Sequence, residues 1–179
     1  MTKPLQDPGV LRAMGETPDD VRAGLVRELD ALEAHLRTRQ ADWTRVQPGR
    51  EWSPAQELEH VMKIGDSIVP LFRLLTSDRE LRPTAQTPGV LKDGRRQAPA
   101  PSLPSENGVA WADWEARWAA HRDALVAGAA GVRETPGRTY WHPFYGELDA
   151  LDWLRMVSGH IRGHRELLER SATAEPTPS

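Results

Sequence analysis

Apolar residues recur every three to four positions along most of the chain, which is the spacing of one buried face of an α-helix. The first such stripe predicts a helix from about Thr17 to Arg39. Thr17 is a suitable N-cap, and Pro18 suits the first helical position. The buried face of this helix is predicted to contain Val21, Leu25, Leu29, Leu32 and Leu36. His35 lies beside this stripe and is interpreted as a surface or boundary residue.

A second helix is predicted to begin after Ser53, which can act as N-cap, with Pro54 in the first turn. Gln56 stands where it can complete a capping box. Pro70 falls inside this helix and is expected to kink it or interrupt one backbone hydrogen bond. The apolar positions of the helix are Leu58, Val61, Ile64, Ile68, Leu71, Phe72 and Leu75.

Two more helices are predicted in the second half of the chain. The third runs from about Asn107 to Ala130 and carries a stripe of large rings, which predicts either core packing or a dimer interface. The fourth follows Asp149 as N-cap and ends near Arg170. The stripe of the third helix consists of Trp111, Trp114, Trp118, His121 and Leu125, and the face of the fourth includes Leu151, Leu154, Val157, His160, Ile161, His164, Leu167 and Leu168.

The connectors are unequal in length. Residues 76–106 contain five prolines, so no helix can run through them, and a connection this long suits a crossover between two parallel helices. Residues 138–147 form a loop dense in aromatic side chains. Residues 1–16 are interpreted as an irregular leader, 17–170 as the folded domain and 171–179 as a flexible tail. With no alternating strand pattern, the prediction is an all-α four-helix bundle.

Composition narrows the classes of function. The net charge is −3 and Lys, Arg, Asp and Glu are interspersed, which argues against nucleic-acid binding. The chain has no cysteine, so thiolate ligands, disulfides and a cysteine nucleophile are excluded. No apolar stretch approaches the length of a signal peptide or a membrane span, and we expect a cytoplasmic protein that does not act on membranes.

The candidate chemistry lies in the last predicted helix, where His160 and His164 are four residues apart and therefore on one face. Two imidazoles spaced in this way can bind one metal ion, but they can equally be a half-buried polar edge of the helix. His60, near the core side of the second helix, is either an ordinary core histidine or a third ligand. Three neutral nitrogens suit Zn²⁺ or Ni²⁺ and leave positions open for water or substrate.

The sequence resembles the DinB-like (YfiT-type) family of four-helix bundle metalloproteins over roughly Thr17 to Arg170. The resemblance rests on Trp52-Ser53-Pro54 with Glu57 and His60, on His142-Pro143-Phe144-Tyr145-Gly146, and on Trp153-Leu154 with His160 and His164. It implies an up-down-down-up bundle with a long crossover between helices two and three. It also implies a divalent metal, zinc or nickel, bound by His60, His160 and His164.

The resemblance extends to a wider superfamily that includes thiol-using enzymes, bacillithiol S-transferases and mycothiol-dependent isomerases among them. One hypothesis is therefore a metal-dependent thiol S-transferase acting on a small molecule, with a metal-dependent hydrolase as a close variant. The other is a non-catalytic, stress-related metal-binding or interaction protein, which would be a homodimer if the Trp stripe forms an interface. Glu57 is predicted to orient an imidazole, and His142 and Tyr145 to line a pocket.

Overall fold

A computed structural model describes residues 2–172 of the chain. Four long helices account for about half of these residues, and the N-terminal caps predicted for the first, second and fourth are present. Thr17 and Ser53 each form a complete capping box, and Asp149 accepts from the backbone N–H of Asp152. The helices are α1 (Pro18–Arg37), α2 (Pro54–Thr76), α3 (Trp114–Ala129) and α4 (Ala150–Ala172). The helix α2 runs without a break through Pro70.

The four helices form an up-down-down-up bundle, as contacts at both ends show. Near its start, α1 meets the segment after α3, where Arg22 donates to the carbonyl of Val132, so these two helices are antiparallel. Farther along, Arg39 donates to the carbonyl of Leu168, near the end of α4, so α1 and α4 are parallel. The helix α2 packs on α3 and α4, and it is parallel to α3 and antiparallel to α4. The predicted connectivity is confirmed.

The core consists of the apolar stripes that the sequence predicts. Trp114 and Trp118 are fully buried, so these two members of the Trp stripe belong to the core of this chain. Trp111 is only half-buried and packs against Trp43. His121 packs its ring against Gly65 of α2, where a Cβ would lie 2.5 Å from Cε1 of the imidazole. The His121 ring is thus accommodated by the lack of a side chain at Gly65.

The helix α3 begins at Trp114, seven residues later than predicted. The preceding segment crosses the first turn of α2 in an irregular conformation, held by a hydrogen bond from the backbone N–H of Val109 to the carbonyl of Ala55. Gly108 has a φ of +64°, and a Cβ there would lie 2.4 Å from the carbonyl carbon of Ala55. Because the two backbones touch at this point, a helix cannot pass through it.

The long connector between α2 and α3 is a crossover without a helix of more than one turn, as expected, but it is ordered. It contains a short antiparallel hairpin of β1 (Leu91–Lys92) and β2 (Arg95–Arg96) and a 3-10 turn at Ala100–Ser102. Gly89 fixes it to the rest of the molecule, because its N–H donates to Pro143 and a side chain there would meet the ring of Phe144.

Two further segments differ from the prediction. The aromatic connector before α4 is an antiparallel hairpin of β3 (Tyr140–His142) and β4 (Gly146–Leu148), so the described residues include four short strands. The leader contains a 3-10 helix, Pro8–Met14, that packs on α4 with Leu11 buried. Arg155 of α4 donates to the carbonyls of Gly15 and Glu16, which holds the leader in place.

The predicted tail begins at residue 171, and residues 173–179 lie outside the described part of the chain. Its first two residues still belong to α4. None of the helices in residues 2–172 combines the length and the apolar character needed to cross a membrane.

Candidate metal centre

Three histidines from two antiparallel helices meet at one point. His60 lies in the second turn of α2, and His160 and His164 lie one turn apart on α4. The Nε2 atom of His160 is 3.1 Å from Nε2 of His60 and 3.1 Å from Nε2 of His164. His60 is buried, and the other two are half-buried. The structure therefore brings together the three residues that the sequence singles out as ligand candidates.

The Nδ1 atoms of His60 and His164 each face a group that can only accept a hydrogen bond. Nδ1 of His60 lies 2.8 Å from the carbonyl oxygen of Ser102, and Nδ1 of His164 lies 2.6 Å from the carboxylate of Glu57. In a neutral imidazole, a proton on Nδ1 leaves a lone pair on Nε2. Both rings are thus fixed with their Nε2 lone pairs directed at the shared point.

Glu57 is held from both sides. It is 1% exposed, and its second carboxylate oxygen accepts from Arg50, a half-buried side chain in the loop before α2. A chain of contacts thus runs from Arg50 through Glu57 to His164. Glu57 is the imidazole-orienting residue that the sequence predicts, and its carboxylate is already occupied by two donors.

The site favours uncharged imidazoles. Burial, together with repulsion from the neighbouring His164, lowers the pKa of His60 to about 4. Burial also lowers the pKa of His160 well below its usual value, with His164 and His60 adding to the effect. Neutral imidazole is the form that binds a metal ion, so no proton has to be displaced from these two rings at neutral pH.

The three nitrogens fit a divalent ion with nitrogen ligands. In a tetrahedral site with zinc–nitrogen bonds of about 2.0–2.1 Å, the nitrogens lie about 3.3 Å apart. The two distances of 3.1 Å, both to His160, are close to this value. The three candidate ligand atoms lie within 4.8 Å of one another, so a bound ion would draw His60 and His164 closer together. Without an ion, the lone pairs on Nε2 of His60 and Nε2 of His164 both face Nε2 of His160. A single proton on that atom can form a hydrogen bond with only one of them. A cation at this point satisfies all three.

Two segments stand around the site. Trp52 covers one side, with its ring centroid 4.8 Å from His60 and nearly parallel to His164 at 6.5 Å. On another side stands the β3–β4 hairpin with His142 and Tyr145, whose rings are 4.9 Å apart. The ring of His142 also packs on Trp153 of α4, at 5.2 Å between ring centres, and its role in lining a pocket stays a prediction.

The other histidines lie outside this centre. His35 is next to Arg39, whose guanidinium is 3.1 Å from its Nε2 atom. Nδ1 of His121 donates to Asp66, and its Nε2 atom is buried against Gly65 with no partner among the described residues. Neither ring has a second imidazole within reach, which agrees with the structural roles assigned to both from the sequence.

Sequence reasoning identified Glu57 but missed the other groups that hold the rings from outside. The carbonyl of Ser102 belongs to the crossover, and any residue type would supply the same oxygen, so the sequence carries no signal for it. Arg50 stands in a turn seven residues before Glu57 and reaches it only because the chain folds back at Pro48-Gly49. Arg96 of β2, which stacks on Tyr145, is likewise visible only in the fold.

Comparisons with known proteins agree with this architecture. A sequence model described as the DinB superfamily matches residues 19–168. Among solved structures, the chain is similar to TT2238, described as a four-helix bundle protein, with a TM-score of 0.59 and 25% sequence identity. The alignment covers 86% of this chain and 99% of TT2238. No curated protein matches the chain.

Proposed function

Because the chain belongs to the DinB superfamily, we propose that His60, His160 and His164 bind one divalent metal ion, zinc or nickel, in a centre with an open coordination position. The observation that carries the proposal is the convergence of three Nε2 atoms whose orientation is fixed from outside by Ser102 and Glu57. An ion with three imidazole ligands acts as a Lewis acid and lowers the pKa of a thiol or water at its open position.

We further propose that the protein is a metal-dependent thiol S-transferase. Within residues 2–172, Glu57 is the only carboxylate that hydrogen-bonds to one of the three rings, and Arg50 and His164 already occupy it. His142 also has no free base, since its Nδ1 atom accepts from the N–H groups of Phe144 and Tyr145. A site without a free general base favours a nucleophile that ionises readily, and a thiol does so more readily than water.

The remaining parts of the site fit this reaction. Trp52 shields His60 and His164 on one side, which limits competition from water. The two half-buried histidines leave the other side accessible to a small molecule. The crossover and the β3–β4 hairpin border that side, so their residues would select the thiol and the electrophile.

Metal analysis of the purified protein tests the first part of the proposal. We expect about one divalent ion per chain in the wild type and little in His160→Ala, whereas His35→Ala, which removes a histidine outside the centre, should retain the ion. A wild-type protein that binds no divalent ion, or an H160A variant that keeps it, would contradict the metal centre.

A conjugation assay tests the second part. The metal-loaded protein is incubated with a chromogenic electrophile and bacillithiol, mycothiol or glutathione in turn. We expect turnover with at least one thiol, and loss of turnover in H160A but not in H35A. An intact centre that gives no conjugate with any of the three thiols would argue for the non-catalytic metal-binding protein instead.

A further inference from the structure

Arg96, at the end of the crossover hairpin, stands over the aromatic rings that border the three-histidine centre. Its guanidinium carbon lies 4.8 Å from the ring centre of Phe144 and 4.7 Å from that of Tyr145. One terminal N–H donates to the hydroxyl of Tyr145 at 2.9 Å. Cation–π stacking and this hydrogen bond hold an otherwise exposed side chain in one place.

No carboxylate of the described residues neutralises this arginine. Within residues 2–172, Arg96 forms no ion pair, although most of the other arginines near the helices do. A guanidinium has five N–H donors, and only one of them is used by Tyr145. The hairpin on which Arg96 stacks packs against α4 two turns before His160, where the ring centre of His142 lies 5.2 Å from that of Trp153. Arg96 is therefore a fixed, unpaired cation close to the centre.

His142 adds a neutral donor. Its Nδ1 atom is 3.1 Å from the backbone N of Phe144 and 3.2 Å from that of Tyr145, and both of these groups are donors. An acceptor nitrogen on one side of a neutral imidazole places the proton on the other, Nε2. Within the described residues this Nε2–H has no hydrogen-bond partner. The hydroxyl proton of Tyr145 is also free, because the oxygen is the acceptor in its contact with Arg96.

We propose that Arg96, Tyr145 and His142 form a subsite that binds a carboxylate group of the ligand whose thiol reaches the three-histidine centre. The inference rests on the proposed metal centre and deepens it by naming the ligand class, a small thiol that carries a carboxylate. The planar fork of Arg96 matches the two oxygens of a carboxylate. One cation with two neutral donors balances a single negative charge, so a carboxylate suits the subsite better than a phosphate dianion.

The first arm of the test needs no metal. The protein stripped with a chelator is titrated with 3-mercaptopropionate, and separately with inorganic phosphate, while NMR follows the Nε–H of Arg96 and the ring nitrogens of His142. We expect saturable shifts of both residues with 3-mercaptopropionate and weaker ones with phosphate. Absence of saturable shifts with 3-mercaptopropionate, or stronger binding of phosphate, would overturn the carboxylate subsite whatever the state of the metal centre.

The second arm uses the cobalt-loaded protein, whose absorption spectrum changes when a thiol binds. We expect 3-mercaptopropionate to bind about tenfold more tightly than the uncharged 3-mercapto-1-propanol, as a charge-assisted pair implies. Arg96→Gln should abolish this preference without weakening the binding of cobalt or of the uncharged thiol. Arg96→Lys, which keeps the charge but not the planar fork, should retain part of it.

Arg95→Gln is the matched control, because Arg95 is an exposed arginine of the same hairpin with no contact to the aromatic rings. It should behave like the wild type. Equal affinity of the wild type for both thiols, or equal losses in R95Q and R96Q, would overturn the proposal. Failure to bind cobalt would instead refute the metal centre, and the metal-free titration would then still decide the subsite.

Discussion

Replacing Glu57 by Gln tests how the site is oriented. The carboxylate of Glu57 accepts from Arg50 on one oxygen and from Nδ1 of His164, at 2.6 Å, on the other. An amide has only one oxygen, so its NH2 group must face one of these two donors. Either His164 or Arg50 then loses its acceptor. Because residue 57 is only 1% exposed, water cannot reach this position to replace it.

The expected loss follows from this geometry. Removing an outer partner of a metal-bound histidine costs about 10- to 100-fold in metal affinity, or about 1.4–2.7 kcal/mol. We expect the upper part of this range for E57Q, because the substituted side chain is buried and water cannot replace the lost acceptor. The measurement is a competition titration of Zn²⁺ against a chromophoric chelator of known affinity.

Glu59→Gln provides the matched control. Glu59 is also buried on α2, two residues away, but its carboxylate accepts from the backbone N–H and the hydroxyl of Ser105 instead of a histidine. E59Q should lose stability and keep its affinity for zinc. The reasoning is refuted if E57Q binds zinc as tightly as the wild type, or if E59Q loses as much affinity as E57Q.

Three further predictions concern stability. Gly65→Ala places a methyl group 2.5 Å from the His121 ring and should lower the free energy of unfolding, measured by urea titration, by about 1–3 kcal/mol. An unchanged free energy of unfolding would mean that the ring moves freely. Trp114→Ala should lower the free energy of unfolding by about 3–5 kcal/mol, since this side chain is fully buried, whereas Val126→Ala, at an exposed position, should change it little. Equal losses in the two variants would contradict the assigned core. Burial lowers the pKa of His142 to about 4, so between pH 6.5 and 4 the unfolded chain binds more protons than the folded one. The free energy of unfolding therefore decreases as the pH is lowered through this interval, by up to about 3 kcal/mol from this residue. The metal-free H142Q variant should lose less stability than the wild type over that interval, and identical pH profiles would contradict the lowered pKa.

The helix starts could be predicted from the sequence because their signals are local. Thr17 and Ser53 each precede a proline and stand three residues before the side chain that completes the capping box. Asp149 caps α4 by an equally local contact, because it accepts from the backbone N–H of Asp152, three residues further on. These interactions depend on neighbours in the chain, so no knowledge of the fold is needed to find them.

The later start of α3 and the two hairpins could not be predicted, because contacts distant in sequence determine them. Trp111 continues the helical spacing of the Trp stripe, yet the segment around it is not helical, since Val109 bonds to Ala55 of α2. Each strand of the β3–β4 hairpin is three residues long, too short for alternation to be recognised. Gly146, with a φ of +78°, marks the start of β4 only once the turn is known.

The candidate site divides in the same way. Spacing along one helix identifies His160 and His164, and the apolar face of α2 brings His60 into reach. The Ser102 carbonyl comes from a different segment, and a backbone oxygen has no residue type to recognise. Residue chemistry thus indicates the three ligands and Glu57, whereas only the fold shows that the Ser102 carbonyl and Arg50 also hold the site in place.

The central claim is that three Nε2 atoms share one ion, and anomalous diffraction from crystals of the zinc-loaded protein tests it most directly. Data collected on both sides of the zinc absorption edge locate the ion without reference to the ligands. We predict a single anomalous peak about 2.0–2.1 Å from Nε2 of His60, His160 and His164. A peak elsewhere on the molecule, or no peak between these three rings in zinc-saturated crystals, would contradict the account.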